Sequence, residues 1–257
     1  MDYEHISLAQ EDEFAVVTMR RPERRNALSE PHLRELLHAF ETIGAGKARG
    51  AILAAEGPVF SAGHDFADMH GRDLGAMRRL LFVCAELMQA IQALPQPVIA
   101  QVDGLATAAG CQLVATCDLA VASASSRFQV PGGRGGWFCT TPGVALARAI
   151  GRKHAFEMLA TGDAIDAPTA LAWGLVNRVV EDSDVAVETR ALLARATRGS
   201  ASAKALGKQS FYKQIDLEVP AAYAYATEVM AAASQTADAQ ENLRAFLEKR
   251  PPRFSGR

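Results

Sequence analysis

The chain has 257 residues, of which 49% are hydrophobic and 22% are charged, a composition typical of globular proteins with a large core. Its formal net charge of −2 gives no general electrostatic attraction to nucleic acid or to an anionic membrane surface. No apolar run reaches the roughly 18 residues that a membrane-spanning helix needs. We therefore expect neither a nucleic acid nor a membrane as a partner.

The start of the chain and its cysteines bear on the cellular compartment. The first stretch, MDYEHISLAQEDEF, is acidic and polar, unlike a secretory signal or a transit peptide. The cysteines form no CxxC pair and lie mostly in apolar surroundings, which favours reduced, buried thiols; they are Cys84, Cys111, Cys117 and Cys139. These features predict a cytoplasmic protein.

The first two-thirds of the chain alternates predicted strands and helices. Ser29 is the predicted N-cap of one helix, and residues 77–94 carry apolar side chains at helical spacing up to Pro95. Short β-branched or apolar runs predict the strands, which are FAVVTM, GAILAAEG, PVIAQVDG, LAVAS, RFQV and VNRVV.

The last third is predicted to be mainly helical. Asp166 caps a helix that Gly174 ends, and Asp238 with Glu241 has the spacing of a capping box for the final helix. Strands alternating with helices, followed by helices alone, predict an α/β core with a helical C-terminal extension.

Two loops place small residues between a strand and the start of a helix: FSAGHD at residues 60–65 and TAAGCQ at residues 107–112. The first N–H groups of a helix have no internal partner and lie at the positive end of its dipole. If the loops converge, the N–H groups of His64 and Ala109 can hold one carbonyl oxygen as it becomes an oxyanion. The alternative is that small residues only allow close packing of helix on sheet.

Three polar segments are candidates for other ligands. HDFADMH matches no standard metal motif, and its acids suit the first turn of a helix, so no metal is expected. GGRGG lacks the lysine and the glycine frame of nucleotide-binding loops. RRPERR is either solvated charge or a contact for the phosphates of a polyanionic ligand.

Five ordered segments carry a resemblance to a known family across nearly the whole chain. They are RPERRNALS, GPVFSAGHDFADM, PVIAQVDGLATAAGCQLVATCDLAVAS, ATGDAIDAPTALAWGLVNRVV and ENLRAFLEKRPPRF. In this order they resemble the enoyl-CoA hydratase/isomerase (crotonase) family. The resemblance implies an α/β fold of the ClpP/crotonase type, a spiral of ββα units. It places the spiral core with the thioester site at residues 1–195 and a helical trimerisation region at residues 196–257.

The resemblance also implies a ligand, an assembly and a site. The ligand is an acyl-CoA or enoyl-CoA thioester, so coenzyme A is part of the substrate and no separate cofactor is expected. The assembly is a homo-trimer or hexamer, with helices near Lys208 and Phe211 reaching a neighbouring subunit's CoA. The implied oxyanion hole is the pair of backbone N–H groups of His64 and Ala109. The implied substrate-binding residues are Arg25, Ala27, Ala62, Asp65 and Gly110.

The reaction stays open, because both glutamates that activate water in family hydratases are replaced. The two positions hold Gln112 and Gly132; an amide is no general base near neutral pH, and glycine offers only backbone. The resemblance also implies a set of residues in or near segments that face the acyl pocket: Asp65, Asp68, His70, Arg134, Cys139, Thr140 and Thr141. Of these, Cys139 is either a nucleophile or an inert thiol. We expect impaired hydration by a lyase or isomerase of fatty acid metabolism, or alternatively a non-catalytic acyl-CoA-binding homologue.

Overall fold

The chain alternates strands and helices and then becomes helical, as the sequence pattern predicts. The computed structural model describes residues 2–256. These residues form the strands β1 (Ile6–Glu11), β2 (Phe14–Met19), β3 (Gly50–Ala55), β4 (Val98–Val102), β5 (Leu105–Thr107), β6 (Leu119–Ser123), β7 (Arg127–Gln129), β8 (Ile165–Asp166) and β9 (Arg178–Val180). Their helices are α1 (Glu30–Gly44), α2 (Phe66–Met69), α3 (Leu74–Ala93), α4 (Ala109–Thr116), α5 (Thr140–Ala149), α6 (Arg152–Thr161), α7 (Ala167–Trp173), α8 (Val185–Ala196), α9 (Ala201–Gln214), α10 (Val219–Ala233) and α11 (Ala237–Leu247).

Two sheets form the α/β core. The larger sheet has the strand order β1-β2-β3-β4-β6-β9, and its strands are parallel except for β1. The smaller sheet has the order β5-β7-β8. Because β3 and β4 are parallel neighbours, the chain leaves both strands at the same edge of the sheet. The two small-residue loops come after these strands and therefore lie on that side of the sheet.

Apolar side chains cover both faces of the larger sheet. On one face α1, α3 and α4 contribute side chains such as Leu33, Leu87 and Leu113 to the main core. On the other face α8 contributes Val185 and Leu193 to a second, smaller cluster. Burial on both faces explains why the parallel strands read as continuous apolar runs instead of alternating ones.

The strand β1, which pairs with β2 from Ile6 to Glu11, is not predicted from the sequence. Only Ile6 of this strand is buried, and the other five residues are partly or fully exposed. An edge strand of this kind carries little of the hydrophobic signal on which strand prediction depends. The acidic, polar stretch therefore gives no indication of a strand.

Helix ends largely follow the predicted signals. Ser29 caps α1, Asp166 caps α7, and Gly174 ends α7 in the left-handed conformation with φ of 86°. The long helix α3 begins at Leu74, three residues before its predicted apolar pattern. Asp73 supplies the cap there by accepting a 2.7 Å hydrogen bond from a first-turn N–H.

The predicted capping box of the last helix is wrong. Thr236 is the N-cap of α11, and its Oγ1 accepts a hydrogen bond from the N–H three residues further on. Asp238 instead accepts hydrogen bonds from the N–H groups of Ser255 and Gly256, while Glu241 pairs with an arginine beyond the helix. These carboxylates fasten the C-terminal tail, a role that spacing within the helix does not reveal.

A largely buried ion pair holds α9 on the sheet core. The Nζ of Lys208 lies 2.7 Å from Oδ2 of Asp118 and donates to the carbonyl oxygens of Ile91 and Gln96 at 2.8 and 2.9 Å. Tyr212 donates to the other carboxylate oxygen of Asp118 at 2.8 Å. The Lys208 side chain thus faces the core of its own chain, and the implied contact of elements near Lys208 and Phe211 with a neighbouring subunit's CoA stays a prediction.

The division at residue 195 coincides with the last turn of α8 and stays a prediction. The helices beyond it are α9, α10 and α11, and α9 packs on α3 and α10. Phe211 of α9 is 51% exposed. Among residues 2–256, no helix is long and apolar enough to cross a membrane.

We predict that Lys208→Met lowers the free energy of unfolding by about 3–5 kcal/mol, because it leaves the Asp118 carboxylate buried without its cation. Chemical denaturation at fixed protein concentration measures the effect. Lys204→Met, at an exposed position of the same helix, is the matched control and should change stability by less than about 0.5 kcal/mol. Equal effects of the two substitutions would show that the buried pair does not hold α9.

A second prediction concerns acid stability. Burial lowers the pKa of His32 to about 4, against the smaller, opposite effect of its hydrogen bond to the carbonyl of Ala27. The unfolded chain takes up this proton near pH 6.5, so the contribution of neutral His32 is present above that pH. It is lost as the pH falls from about 6.5 to 4, by roughly 3 kcal/mol.

Denaturation at a series of pH values tests this expectation. His32→Gln should flatten the fall in stability over that pH window, whereas His70→Gln, at an exposed histidine, should leave the slope unchanged. An unchanged slope in the His32 variant would contradict the assignment.

Candidate active site

The two small-residue loops lie side by side. Ser61 forms a bridge with the chain around Ala106: its N–H donates to the carbonyl of Leu105 at 3.2 Å, and its carbonyl accepts from the N–H of Thr107 at 2.9 Å. A Cβ added at Gly63 would lie 3.1 Å from the nitrogen of Ala109. The loop after β3 and the start of α4 are therefore in direct contact.

Each loop presents one backbone N–H without an internal partner. Leu28 pairs with the residues on either side of His64, donating to the carbonyl of Gly63 at 2.7 Å and accepting from the N–H of Asp65 at 3.1 Å. The N–H of His64, between these two residues, has no partner in this pairing. Ala109 is the first residue of α4, so its N–H has no acceptor within the helix. Within residues 2–256, neither N–H forms a hydrogen bond. Two adjacent free donors are what an oxyanion hole requires.

Local strain and a glycine fix the start of α4. Ala108 has φ of 50° and ψ of −118°, a conformation that costs a non-glycine residue on the order of 1–3 kcal/mol. Its N–H donates to the carbonyl of Gln129 at 2.8 Å. At Gly110 a Cβ would lie 2.5 Å from the carbonyl oxygen of Ser61, so only glycine fits there. Gly110, implied as a substrate-binding residue, has this packing role.

A cavity of about 720 Å³ adjoins both donors. Apolar and small residues form most of its wall, together with hydroxyl, amide, imidazole and thiol groups. The lining residues are Ala62, His64, Phe66, Leu81, Thr107, Ala108, Ala109, Gln129, Pro131, Gly132, Gly135, Gly136, Trp137, Phe138, Cys139, Thr140, Thr141 and Pro142. No lysine, arginine, aspartate or glutamate is among these residues, so the cavity has a neutral wall.

The two titratable side chains of the wall are also neutral near pH 7. Burial lowers the pKa of His64, although its Nδ1 lies 3.4 Å from the carbonyl oxygen of Leu28. Burial raises the pKa of the half-buried Cys139 thiol, against a hydrogen bond from the backbone of Gly132 that lowers it. A thiol that stays protonated is a poor nucleophile.

The remaining cysteines match the expectation of reduced, buried thiols. All three are free and buried. Burial raises the pKa of Cys84 and of Cys111 to about 12 and raises that of Cys117 as well. No group of three or more metal-ligating side chains occurs in the described part of the chain.

The two positions implied for the catalytic glutamates differ in their surroundings. Gln112 is 4% exposed, its Oε1 has no partner among residues 2–256, and it is not one of the residues that line the cavity. Gly132 does line the cavity, but a Cβ there would lie 2.3 Å from the carbonyl oxygen of Trp137 and 2.7 Å from Sγ of Cys139. A carboxylate at position 132 would require the following loop to move.

The implied substrate-binding residues divide into two groups. Ala62 lines the cavity, and the guanidinium of Arg25 makes no ion pair or hydrogen bond with residues 2–256. Ala27 is buried, and so is Asp65. The carboxylate of Asp65 accepts from Arg24 at 3.1 Å and caps α2, so it orients the His64 loop and is occupied by its own chain.

Sequence reasoning identifies part of the wall and misses part. Cys139, Thr140 and Thr141 are expected near the acyl pocket and do line the cavity. Arg134 is expected there too, but it lies outside and pairs with Asp163 at 3.5 Å. The sequence analysis does not identify the aromatic residues of the wall, Phe66, Trp137 and Phe138. Their position beside small-residue loops is the one sequence signal that could have indicated them.

Comparison with known proteins shows the family. The model of the enoyl-CoA hydratase/isomerase family matches residues 9–257, and the chain belongs to this family. The crystal structure of an enoyl-CoA hydratase from Mycobacterium smegmatis superposes with a TM-score of 0.94 at 44% identity, covering 97% of this chain and 98% of that one. That of human enoyl-CoA hydratase domain-containing protein 3 gives 0.94 at 40% identity, covering 98% and 100%.

Several similar relatives carry the name of this human protein. The enoyl-CoA hydratase domain-containing protein 3, mitochondrial, of Xenopus laevis is 44% identical over 252 residues, covering 95% of this chain and 84% of the relative. The human relative is 43% identical and covers 97% and 83%. These matches confirm the crotonase fold, and they confirm the likeness to this branch that the stretches GLATAAGCQLVA and FCTTPGVALARA indicate.

The expectation of a cytoplasmic location is wrong by this comparison, since these relatives are named as mitochondrial. The expectation depended on reduced thiols and on an acidic first stretch. Reduced thiols do not distinguish one reducing compartment from another.

The packing at Gly132 predicts a measurable cost of adding a side chain. Gly132→Ala should lower the free energy of unfolding by about 1–3 kcal/mol, because the new methyl group would overlap the backbone of Trp137. Gly136→Ala, four residues along the same loop and with no atom within 4 Å of the new methyl group, is the matched control. Equal stability of the two variants in thermal or chemical denaturation would contradict the packing described here.

Proposed function

We propose that this chain binds an acyl-CoA or enoyl-CoA thioester and acts on it through an oxyanion hole. The N–H groups of His64 and Ala109 would both donate to the thioester carbonyl oxygen. The observation that carries the proposal is the pair of adjacent, unpaired N–H groups beside a large cavity with a neutral wall. Because coenzyme A is part of the substrate, the proposal includes no separate cofactor.

The CoA part of the ligand is assigned to the segment that precedes α1. Arg25 and the following residue are both in the left-handed region, with φ of 52° and 49°, and the carbonyl of Arg25 accepts from the N–H of Ala62 at 2.9 Å. This contact ties the segment to the oxyanion loop. The free guanidinium of Arg25 is suited to a phosphate of CoA.

The type of reaction proposed depends on the lack of a carboxylate in the cavity wall. Positioned general acid–base catalysis typically contributes about 10²–10⁴-fold per group, and the cavity wall has no carboxylate to supply it. The oxyanion hole needs only backbone donors and keeps its function. We therefore assign the chain to lyase or isomerase chemistry on fatty acyl thioesters in which an enolate or oxyanion is stabilised, with classical hydration slow.

A non-catalytic acyl-CoA-binding homologue is the second candidate. It is favoured by the buried Gln112, whose amide oxygen has no partner among residues 2–256 and which is not part of the cavity wall. Thioester binding through the same two N–H groups would serve such a protein equally well. Turnover of any acyl-CoA separates the two candidates.

A homo-trimer or hexamer remains part of the proposal. Large apolar side chains are exposed along the C-terminal helices, which supports their burial by further copies of the chain; they include Phe211, Ile215, Tyr223, Met230 and Phe246. Sedimentation equilibrium measures the assembly directly.

The binding function is tested by removing the carbonyl from the ligand. Butyryl-CoA should bind roughly ten-fold or more tightly than S-butyl-CoA, the thioether without a carbonyl oxygen, because two hydrogen bonds of about 1 kcal/mol each are lost. Isothermal titration calorimetry measures both. Equal affinities would show that the two N–H groups do not hold the carbonyl.

The assignment of position 112 is tested by restoring the carboxylate. With its carboxylate turned from the buried position of Gln112 into the cavity, Gln112→Glu should raise kcat/KM for hydration of a short 2-enoyl-CoA at least ten-fold, since it returns one general base. An unchanged rate would show that the side chain at position 112 stays outside the cavity, as that of Gln112 does in the structure. Loss of the conjugated thioester absorbance follows the reaction, and mass spectrometry identifies the product. Gln89→Glu, at an exposed position of α3, adds the same charge and should leave the rate unchanged. Rapid hydration by the unaltered chain would contradict the proposal.

A further inference from the structure

The loop after β7 forms an aromatic wall where the family resemblance expects a carboxylate. The chain turns back on itself so that the N–H of Gly135 donates to the carbonyl of Gly132 at 3.1 Å. The carbonyl oxygen of Trp137 then occupies the space that a side chain at position 132 would need. The same fold-back brings Trp137 and Phe138 to the cavity wall.

The aromatic side chains of the wall are unusually exposed for their size. Trp137 is 50% exposed, Phe138 is 44% exposed, and Phe66, which lines the same cavity from α2, is 77% exposed. Aromatic surface of this extent gains free energy when an apolar group covers it. Its grouping around one cavity indicates a ligand with an apolar end.

The distribution of charge around the cavity also favours a ligand with an apolar end. The loop contains one charged residue, Arg134, whose guanidinium lies 3.5 Å from Asp163 and whose stem packs on Gly162, outside the cavity. No lysine or arginine is among the described residues that line the wall. A carboxylate on the far end of an acyl group would therefore lose hydration without gaining a counter-ion, which is unfavourable.

Apart from the two N–H groups assigned to the thioester carbonyl, the N-terminus of α5 is the feature of the described wall that would attract an anion. Its donors are mostly unavailable, however. The N–H of Thr140 already donates to the carbonyl of Phe138 at 2.8 Å, and that of Gly143 donates to the carbonyl of Cys139 at 3.1 Å. Pro142 has no N–H at all. Of the backbone donors at this helix start, the N–H of Thr141 remains, so the helix start offers a carboxylate one backbone hydrogen bond and no counter-ion in place of its hydration.

We propose that the site selects acyl-CoA thioesters whose acyl group ends in uncharged, apolar surface and discriminates against acyl groups that end in a second carboxylate. Trp137 and Phe138 are the residues that determine this specificity. The proposal rests on the proposed function, because it assumes that the acyl group of a CoA thioester enters this cavity.

The test compares pentanoyl-CoA with glutaryl-CoA, which have five-carbon acyl groups that differ in the terminal carboxylate. Calorimetry with the full chain should show pentanoyl-CoA binding at least ten-fold more tightly. Phe138→Arg places a cation in the wall and should reduce this ratio several-fold or invert it. Phe156→Arg, at a phenylalanine of α6 that is 65% exposed and does not line the cavity, should keep the original ratio.

The outcomes separate the two proposals. Equal binding of both thioesters by the unaltered chain would overturn the specificity proposal and leave the proposed function standing. The specificity proposal is also overturned if Phe138→Arg, shown to be folded by circular dichroism, retains the full preference for pentanoyl-CoA. If neither thioester binds more tightly than free CoA, the proposed function itself fails.

Discussion

The close contact between the loop after β3 and the start of α4 is the constraint on which the site depends. Gly63 and Gly110 have no room for a side chain, because each lies against the backbone of the opposite loop. The contact holds Ala108 in a strained conformation and leaves the N–H groups of His64 and Ala109 unpaired beside one cavity. Free donors held in advance need no reorganisation when charge develops on a bound carbonyl, which is the basis of oxyanion stabilisation.

The rest of the fold supports this contact from both sides. Leu28 pairs with the backbone around His64, and the Asp65 carboxylate joins the same loop to Arg24. On the cavity wall, the fold-back at Gly132 brings backbone and aromatic rings to the position where the family resemblance expects a carboxylate. The site therefore combines two free backbone donors with a neutral, largely apolar cavity, and the chemistry proposed for it is limited to what polarising a thioester carbonyl can achieve.

The sequence predicts those features that are encoded locally. Small residues at the ends of β3 and β5 indicate the two donors, and apolar runs indicate all the central strands, because their burial leaves a direct pattern in the chain. The edge strand β1 is not predicted because it buries only one residue. The cap of α11 is predicted wrongly because two polar residues that could cap the helix, Thr236 and Asp238, lie two positions apart. The aromatic wall escapes because it arises from the fold-back at Gly132, which depends on contacts between residues several positions apart.

The central claim is that two backbone N–H groups hold the thioester carbonyl, and its most direct measurement is isotope-edited infrared spectroscopy. The bound ligand is butyryl-CoA carrying ¹³C at the carbonyl carbon, measured against the same ligand in water. Donation from both His64 and Ala109 predicts a carbonyl stretch at lower frequency than in water, because fixed donors in a water-poor cavity polarise the bond more than solvent does. A stretch at the frequency of the free thioester, or above it, would contradict the account.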